Sequence, residues 1–243
     1  MSFFSRFFNP QSSVNQAVAG LANFNIPTAL SEQFAAYLNQ ADERNLVRFN
    51  PAYLAEHLTV SRHECLNLLA TALQAGIVNL NWEVQCPYCG FQDHAFASLR
   101  QAHSDFVCSM CKMAFHAHLD DEIHVTFSVS ERVRNVAPSG YSKDWAMAID
   151  ERLKPTTSHE LLTVQAFRDL FVNEPLPEGE SFQVKWSALM FTDLGGSTAI
   201  YARKGDPRAY SLVREHFNLI FAAVNEANGA VVKTIGDAVM AVF

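Results

Sequence analysis

The sequence predicts an α+β chain of several modules: a helical, winged-helix-like module, a four-cysteine zinc ribbon with a β-hairpin, and the first βαββ half of a ferredoxin-like sheet. Three observations carry this expectation. Apolar residues recur at helical spacing between about residues 29 and 80, two Cys-x-x-Cys pairs follow, and the chain then closes on strand, long helix, strand and strand patterns. The 243 residues are 49% hydrophobic, which is ample for packed cores. No apolar run approaches the roughly 18 to 20 residues that span a bilayer, and "MSFFSRFFNP" lacks the long apolar segment of a signal peptide. A cytoplasmic protein without a transmembrane segment is therefore expected. With 18 Lys+Arg against 25 Asp+Glu the net charge is -7, which works against nonspecific attraction to nucleic acid or anionic lipid.

Residues 1–28 read as a flexible N-terminal segment. Phe3, Phe4, Phe7 and Phe8 share one helical face, which suits a frayed or internally packed end, or a contact with a membrane or partner. Residues 29–84 form the winged-helix-like module. Asn50 caps a short helix opened by Pro51, Thr59-Val60 break it, Ser61 and Glu64 make a capping box for a second helix, and Gly76 ends that helix before a strand from Ile77 to Val84. DNA recognition is one reading of such a module and a protein-interaction or purely structural role is the other. The second helix offers only Arg62 as a permanent cation near its start, beside Glu64, which argues against DNA. Cys65, in step with Leu69, Ala72 and Leu73, reads as a buried core thiol.

Residues 85–130 are expected to be the zinc ribbon and hairpin. Cys86 and Cys89 form one knuckle, Cys108 and Cys111 the other, with 18 residues between them. Each knuckle turn aims two thiolates at one point, and the loop is long enough to bring both pairs onto one ion. Two disulfides or four unrelated cysteines are the alternatives, disfavoured by a cytoplasmic setting and by the paired spacing. Four sulfurs close a tetrahedron, so the Zn²⁺ would be structural even though His94, His103, His116 and His118 lie nearby. "KMAFHAHLDDEIHVTFSVS" alternates as two strands around Asp120-Asp121-Glu122, which predicts a hairpin with a solvated acidic turn.

Residues 131–181 read as a helical connector ("KDWAMAIDERL", "HELLTVQAFRDLF") ending in the Pro/Gly linker "VNEPLPEGES". In residues 182–243, Trp186 to Thr192 is of strand length and is broken by Asp193-Leu194-Gly195-Gly196-Ser197-Thr198. Asp206 and Pro207 open a long helix with an apolar stripe through Tyr210, Val213, Phe217, Ile220, Phe221 and Val224, which Gly229 ends. Ala230 to Thr234 and Ala238 onward are strands around a Gly236-Asp237 corner. A right-handed crossover leaves a gap for the third strand between the first two, so Asp193 and Asp237, 44 positions apart, should face one point. Paired carboxylates beside a Gly-rich loop suit a hard cation and phosphates.

"MFTDLGGST" followed by "GAVVKTIGDAVMAVF" closely resembles the opening half of the catalytic domain of class III nucleotidyl cyclases, over about residues 184–243. The upstream helical and four-cysteine region looks like the N-terminal part of bacterial proteins that carry this domain as their C-terminal module. The resemblance implies two Mg²⁺ (or Mn²⁺) ions held by Asp193 and Asp237 with the Leu194 carbonyl as a further ligand. It also implies a triphosphate cradle from Gly196, Ser197 and Thr198, and adenine recognition by Lys233, where guanylyl cyclases carry an acid. Ser197 stands where many members have phenylalanine. The implied reaction converts ATP to cyclic AMP and pyrophosphate across a homodimer. The family's second base-reading residue and its transition-state asparagine and arginine follow the second metal aspartate, so the chain is expected to be an inactive fragment of a longer adenylyl cyclase. The competing expectation is a noncatalytic zinc-ribbon and winged-helix regulatory protein that binds protein or DNA.

Overall fold

Three small sheets and the helices around them make up the fold in the computed structural model, which describes residues 10–96, 104–171, 183–196 and 206–243. The chain is mixed α+β, and no described helix is long and apolar enough to cross a membrane. The expected flexible N-terminal segment is partly corrected. Helix α1 (Pro10–Ala19) and a 3₁₀ turn (Gly20–Phe24) pack onto α2 (Thr28–Gln40), burying Val14, Val18 and Leu21. These apolar positions supply enough burial to order the segment. Phe3, Phe4, Phe7 and Phe8 lie outside the described residues.

Local signals place the next elements. In α3 (Pro51–Leu58) the Asn50 side chain accepts from the Ala52 N–H at 2.8 Å, Pro51 occupies the first position, and Thr59 takes a left-handed conformation. In α4 (Arg62–Gln74) Ser61 and Glu64 form the capping box, and Gly76 turns the chain at φ +70°. Strand β1 (Val78–Gln85) is central in a sheet of order β2–β1–β5, with β2 (Gln92–Phe96) and β5 (Ile123–Val129) antiparallel on either side. Trp82, Val84, Ile123, Val125 and Phe127 bury one core with Leu68, Leu69 and Phe167.

The hairpin expected around the acidic turn is corrected. Strand β4 (Ala114–His116) pairs with β3 (Asp105–Val107), while β5 joins β1. The two runs differ in burial: β5 is buried on both faces, and the three-residue β4 is not. A strand buried on both faces belongs in the main core. Its second face carries Thr126, whose hydroxyl donates to Glu83 at 2.6 Å, and Glu83 also pairs with Arg48 at 2.8 Å.

Helix α5 (Lys143–Leu153) matches the first connector fragment. The second is broken at Thr163-Val164 into α6 (Ser158–Leu162) and α7 (Gln165–Phe171). Beyond the linker, strand β6 (Leu189–Thr192), helix α8 (Asp206–Glu226), and strands β7 (Ala230–Ile235) and β8 (Ala238–Val242) form a sheet of order β6–β8–β7, antiparallel throughout. This is the order expected from the crossover. Val213 and Val224 of α8 are buried and Phe217 and Ile220 half-buried, but Tyr210 and Phe221 face outward, narrowing the expected stripe. Gly229 is required: a Cβ there would strike the Phe243 ring and lie 2.9 Å from the Val242 carbonyl oxygen.

Candidate metal centres

The two cysteine knuckles are built alike. Cys86 N–H donates to the Phe91 carbonyl and Gly90 N–H to the Cys86 carbonyl, both at 2.9 Å; Cys108 and Lys112 repeat this with Met113 and Cys108 at 2.9 and 3.0 Å. The fourth residue after each first cysteine, Gly90 (φ +69°) and Lys112 (φ +61°), turns left-handed to close the loop. The four sulfurs lie within 4.8 Å of one another, with Cys86–Cys111 and Cys89–Cys108 each at 3.6 Å. A tetrahedral ion with bonds of about 2.3 Å sets its sulfurs about 3.8 Å apart, so the cluster fits one metal such as zinc.

Cys86 and Cys108 are buried, while Cys89 is exposed. Burial pushes the Cys86 thiol up, but the Tyr88 and Cys89 N–H groups and the Cys111 thiol outweigh it and bring it down to about 7. For Cys89 the Phe91 N–H favours the thiolate, but partial desolvation within the cluster and the three neighbouring sulfurs prevail and push it up to about 12, although the residue as a whole is exposed. A cation at the centre would let all four ionise together. His116 and His118 meet carboxylates instead, Asp105 at 3.1 Å and Glu122 at 2.9 Å. Cys65 is fully buried on α4, its thiol donating to the Pro51 carbonyl at 3.4 Å, and burial pushes its pKa upward.

The second candidate centre lies at one end of the β6–β8–β7 sheet. Asp193 leaves β6 and Asp237 enters β8. The last ladder pair is Thr192↔Val239, and one further step sets Asp193 opposite Ala238, the neighbour of Asp237. Both carboxylates therefore sit at the same sheet end. Asp193 is exposed, and Leu194 and Asp237 are half-buried. Gly195 and Gly196 are exposed, and a Cβ on either would meet nothing within 4 Å among the described residues. Gly196 needs its conformational freedom for φ +75°. Ser197 and Thr198 lie outside the described residues. Lys233 is exposed on β7 opposite Met240, just after a bulge at Val232. A bulge at this point re-aims the following side chains.

Two features were not read from the sequence. Arg62 is engaged by Glu160 at 3.1 Å and by the Leu153 carbonyl, so the cation weighed for DNA already has partners within the chain. The acidic turn is also not simply solvated: Asp120 accepts from the Lys185 and Trp186 N–H groups at 2.9 and 3.0 Å, and Lys185 pairs with Asp121. The only advance signal was an acidic turn and a lysine more than sixty positions apart.

Among known proteins, a family of unknown function (DUF5939) matches residues 13–144. No curated protein and no solved structure matches.

Proposed function

We propose that this chain, which belongs to the DUF5939 family, is the zinc-stapled N-terminal region and metal-binding half of an adenylyl cyclase that converts ATP to cyclic AMP and pyrophosphate. The observation that carries this reading is the placement of Asp193 and Asp237 at one end of the β6–β8–β7 sheet, beside the exposed Gly195-Gly196 pair. The strand order β6–β8–β7 supports reading this sheet as the first half of a ferredoxin-like domain. Helices α3 and α4 with β1 are read as a winged-helix-like element, and the cysteine cluster as a structural Zn²⁺ site.

Asp193, Asp237 and the Leu194 carbonyl offer the hard oxygen donors that Mg²⁺ or Mn²⁺ takes. Bound there, the ions would acidify the ribose 3′-hydroxyl and neutralise phosphate charge. Gly196, Ser197 and Thr198 present backbone N–H and hydroxyl groups to the triphosphate. Lys233 donates to an adenine ring nitrogen, where guanine would present a donor and leave the ammonium unpaired. Trp186, Leu189 and Phe191 are exposed along β6 and its lead-in, and Leu219 and Phe221 on α8, which supports a role in a homodimer.

The test is equilibrium binding of ATP and GTP to the chain with Mn²⁺. Binding of ATP at least tenfold tighter than GTP is expected, lost in Asp193→Asn and Asp237→Asn and with its base preference lost in Lys233→Glu. Equal affinity for the two nucleotides, or unaltered Mn²⁺ dependence in both aspartate variants, would refute the assignment.

A further inference from the structure

We infer that the acidic turn Asp120–Glu122, with Gln165 of α7, is an intramolecular docking surface that holds the β6–β8–β7 sheet by the end opposite its carboxylates, and that metal loss at the cysteines releases this hold. The docked segment is Gln183–Trp186. Leu119 N–H donates to the Gln183 carbonyl at 3.0 Å. The Asp120 carboxylate accepts from Lys185 N–H at 2.9 Å and Trp186 N–H at 3.0 Å. Lys185 Nζ pairs with Asp121 and reaches Glu122 at 3.5 Å. An exposed ion pair contributes little, so the charge-assisted bonds from Asp120 to two backbone N–H groups do most of the holding. The second attachment is on the opposite strand, where Val231 N–H donates to Gln165 Oε1 at 2.7 Å.

Both attachments lie at the same end of the sheet. Lys185 and Trp186 precede Ala188, which exchanges hydrogen bonds with Phe243 at 3.0 and 3.2 Å, and Val231 pairs with Ala241. From Ala188 to Asp193 the strand covers about 16 Å at about 3.3 Å per residue. The hold therefore sets the orientation of the sheet and leaves the carboxylate end clear.

The turn is in its own way braced by both neighbours. Ser158 Oγ and His159 N–H donate to the Leu119 carbonyl at 2.7 and 2.9 Å, and Glu122 accepts from His118 N–H at 2.8 Å. Upstream, Ala117 N–H donates to the Ser104 carbonyl at 2.8 Å, joining the turn to the segment between the knuckles. Release on metal loss rests on the zinc reading of the cysteines; the docking does not.

The experiment combines hydrogen exchange with a distance between spin labels on unnatural residues at the exposed positions 151 and 218, in the full chain. The parent should give one narrow distance. Asp120→Ala should speed exchange at Lys185 and Trp186 at least tenfold and broaden the distance, with exchange in β1 and β5 unchanged. Lys185→Glu should broaden it more weakly, and adding Asp121→Lys should restore it. Chelation of the cysteine-bound metal should act like Asp120→Ala. Mn²⁺ affinity at Asp193 and Asp237 should stay within twofold in Asp120→Ala, because the hold is remote. Unchanged exchange and distance in Asp120→Ala would overturn the docking, and a distance that stays narrow after chelation would overturn the release. A tenfold fall in Mn²⁺ affinity in Asp120→Ala would show local distortion in place of orientation. A parent that binds no Mn²⁺ would instead refute the carboxylate site proposed above, leaving the docking judged by its own two readouts.

Discussion

Replacing Cys108 with serine should unfold the knuckle region and spare the core behind it. Cys108 is fully buried, and its N–H and carbonyl close the second knuckle. Structural zinc bound by such ligand sets contributes about 10 to 16 kcal/mol of apparent energy. The apolar contribution of β3 and β4 is far smaller, because Phe106 and Phe115 stack at 5.8 Å but are only half-buried. Two half-buried phenylalanines supply about 2 to 3 kcal/mol, so a metal bound by the four cysteines would supply most of what holds the knuckles folded, and its loss could not be absorbed locally. The β1–β5 ladder and the core around Trp82, Phe127 and Phe167 do not pass through the knuckles. Hydrogen exchange on Cys108→Ser, with metal analysis and thiol counting on the parent, checks this. Protection should vanish at Cys86–Phe91 and Cys108–Met113 and persist in Val78–Val84 and Ile123–Val129. A parent that carries no metal, shows four reactive knuckle thiols and still protects these amides would refute the reasoning, as would simultaneous loss of the β1–β5 ladder.

Three further outcomes are expected. Arg48→Met leaves the Glu83 carboxylate, which is only 1% exposed, without its cation and held by the Thr126 hydroxyl, and should destabilise the fold by about 3 to 5 kcal/mol, with partial recovery on adding Glu83→Gln, read by urea unfolding. His124 is held below its usual range chiefly by burial, and its Nδ1 has no partner among the described residues. Since the unfolded chain takes up the proton first, this group's contribution to stability should fall as pH drops below about 6.5 towards the lowered folded value, and His124→Gln should flatten that dependence between pH 7.5 and 5.5 in paired urea titrations. The 243 residues alone should make no detectable cyclic AMP with ATP and Mg²⁺ or Mn²⁺, because residues 238–243 include neither the asparagine nor the arginine that the cyclase resemblance requires after Asp237. Such a missing cation reduces phosphoryl-transfer rates by about 10³ to 10⁵, and turnover by this chain that Asp193→Ala abolishes would contradict the reading.

Features encoded within a few residues could be read in advance. The cap at Asn50, the capping box at Ser61 and Glu64, the left-handed turn at Gly76 and the fragment 143–153 all depend on neighbours in the chain, and the structure has them where the residues predict. The cysteine cluster is long-range, but its repeated spacing carries the information that distance would otherwise remove. The strand order β6–β8–β7 was legible for a different reason, since a right-handed crossover with one gap admits few arrangements.

The misreadings share a physical cause. Alternation on both sides of Asp120–Glu122 is what a hairpin would show, yet period-2 patterning fixes which face a residue takes and says nothing about which strand lies beside it. Burial on both faces drew β5 to β1, and β4 was left to the smaller sheet. Once the flanking strands part, the turn between them is no longer a simple loop tip: its carboxylates are set against a stretch of chain more than sixty residues away, where two backbone N–H groups meet Asp120. The same separation explains Val14, Val18 and Leu21, whose burial depends on α2 and the core behind it and leaves only a weak apolar period in the segment itself. Charge composition alone would leave an acidic turn in water, and a carboxylate departs from that default when it finds unpaired backbone donors, which only the folded path of the chain can supply.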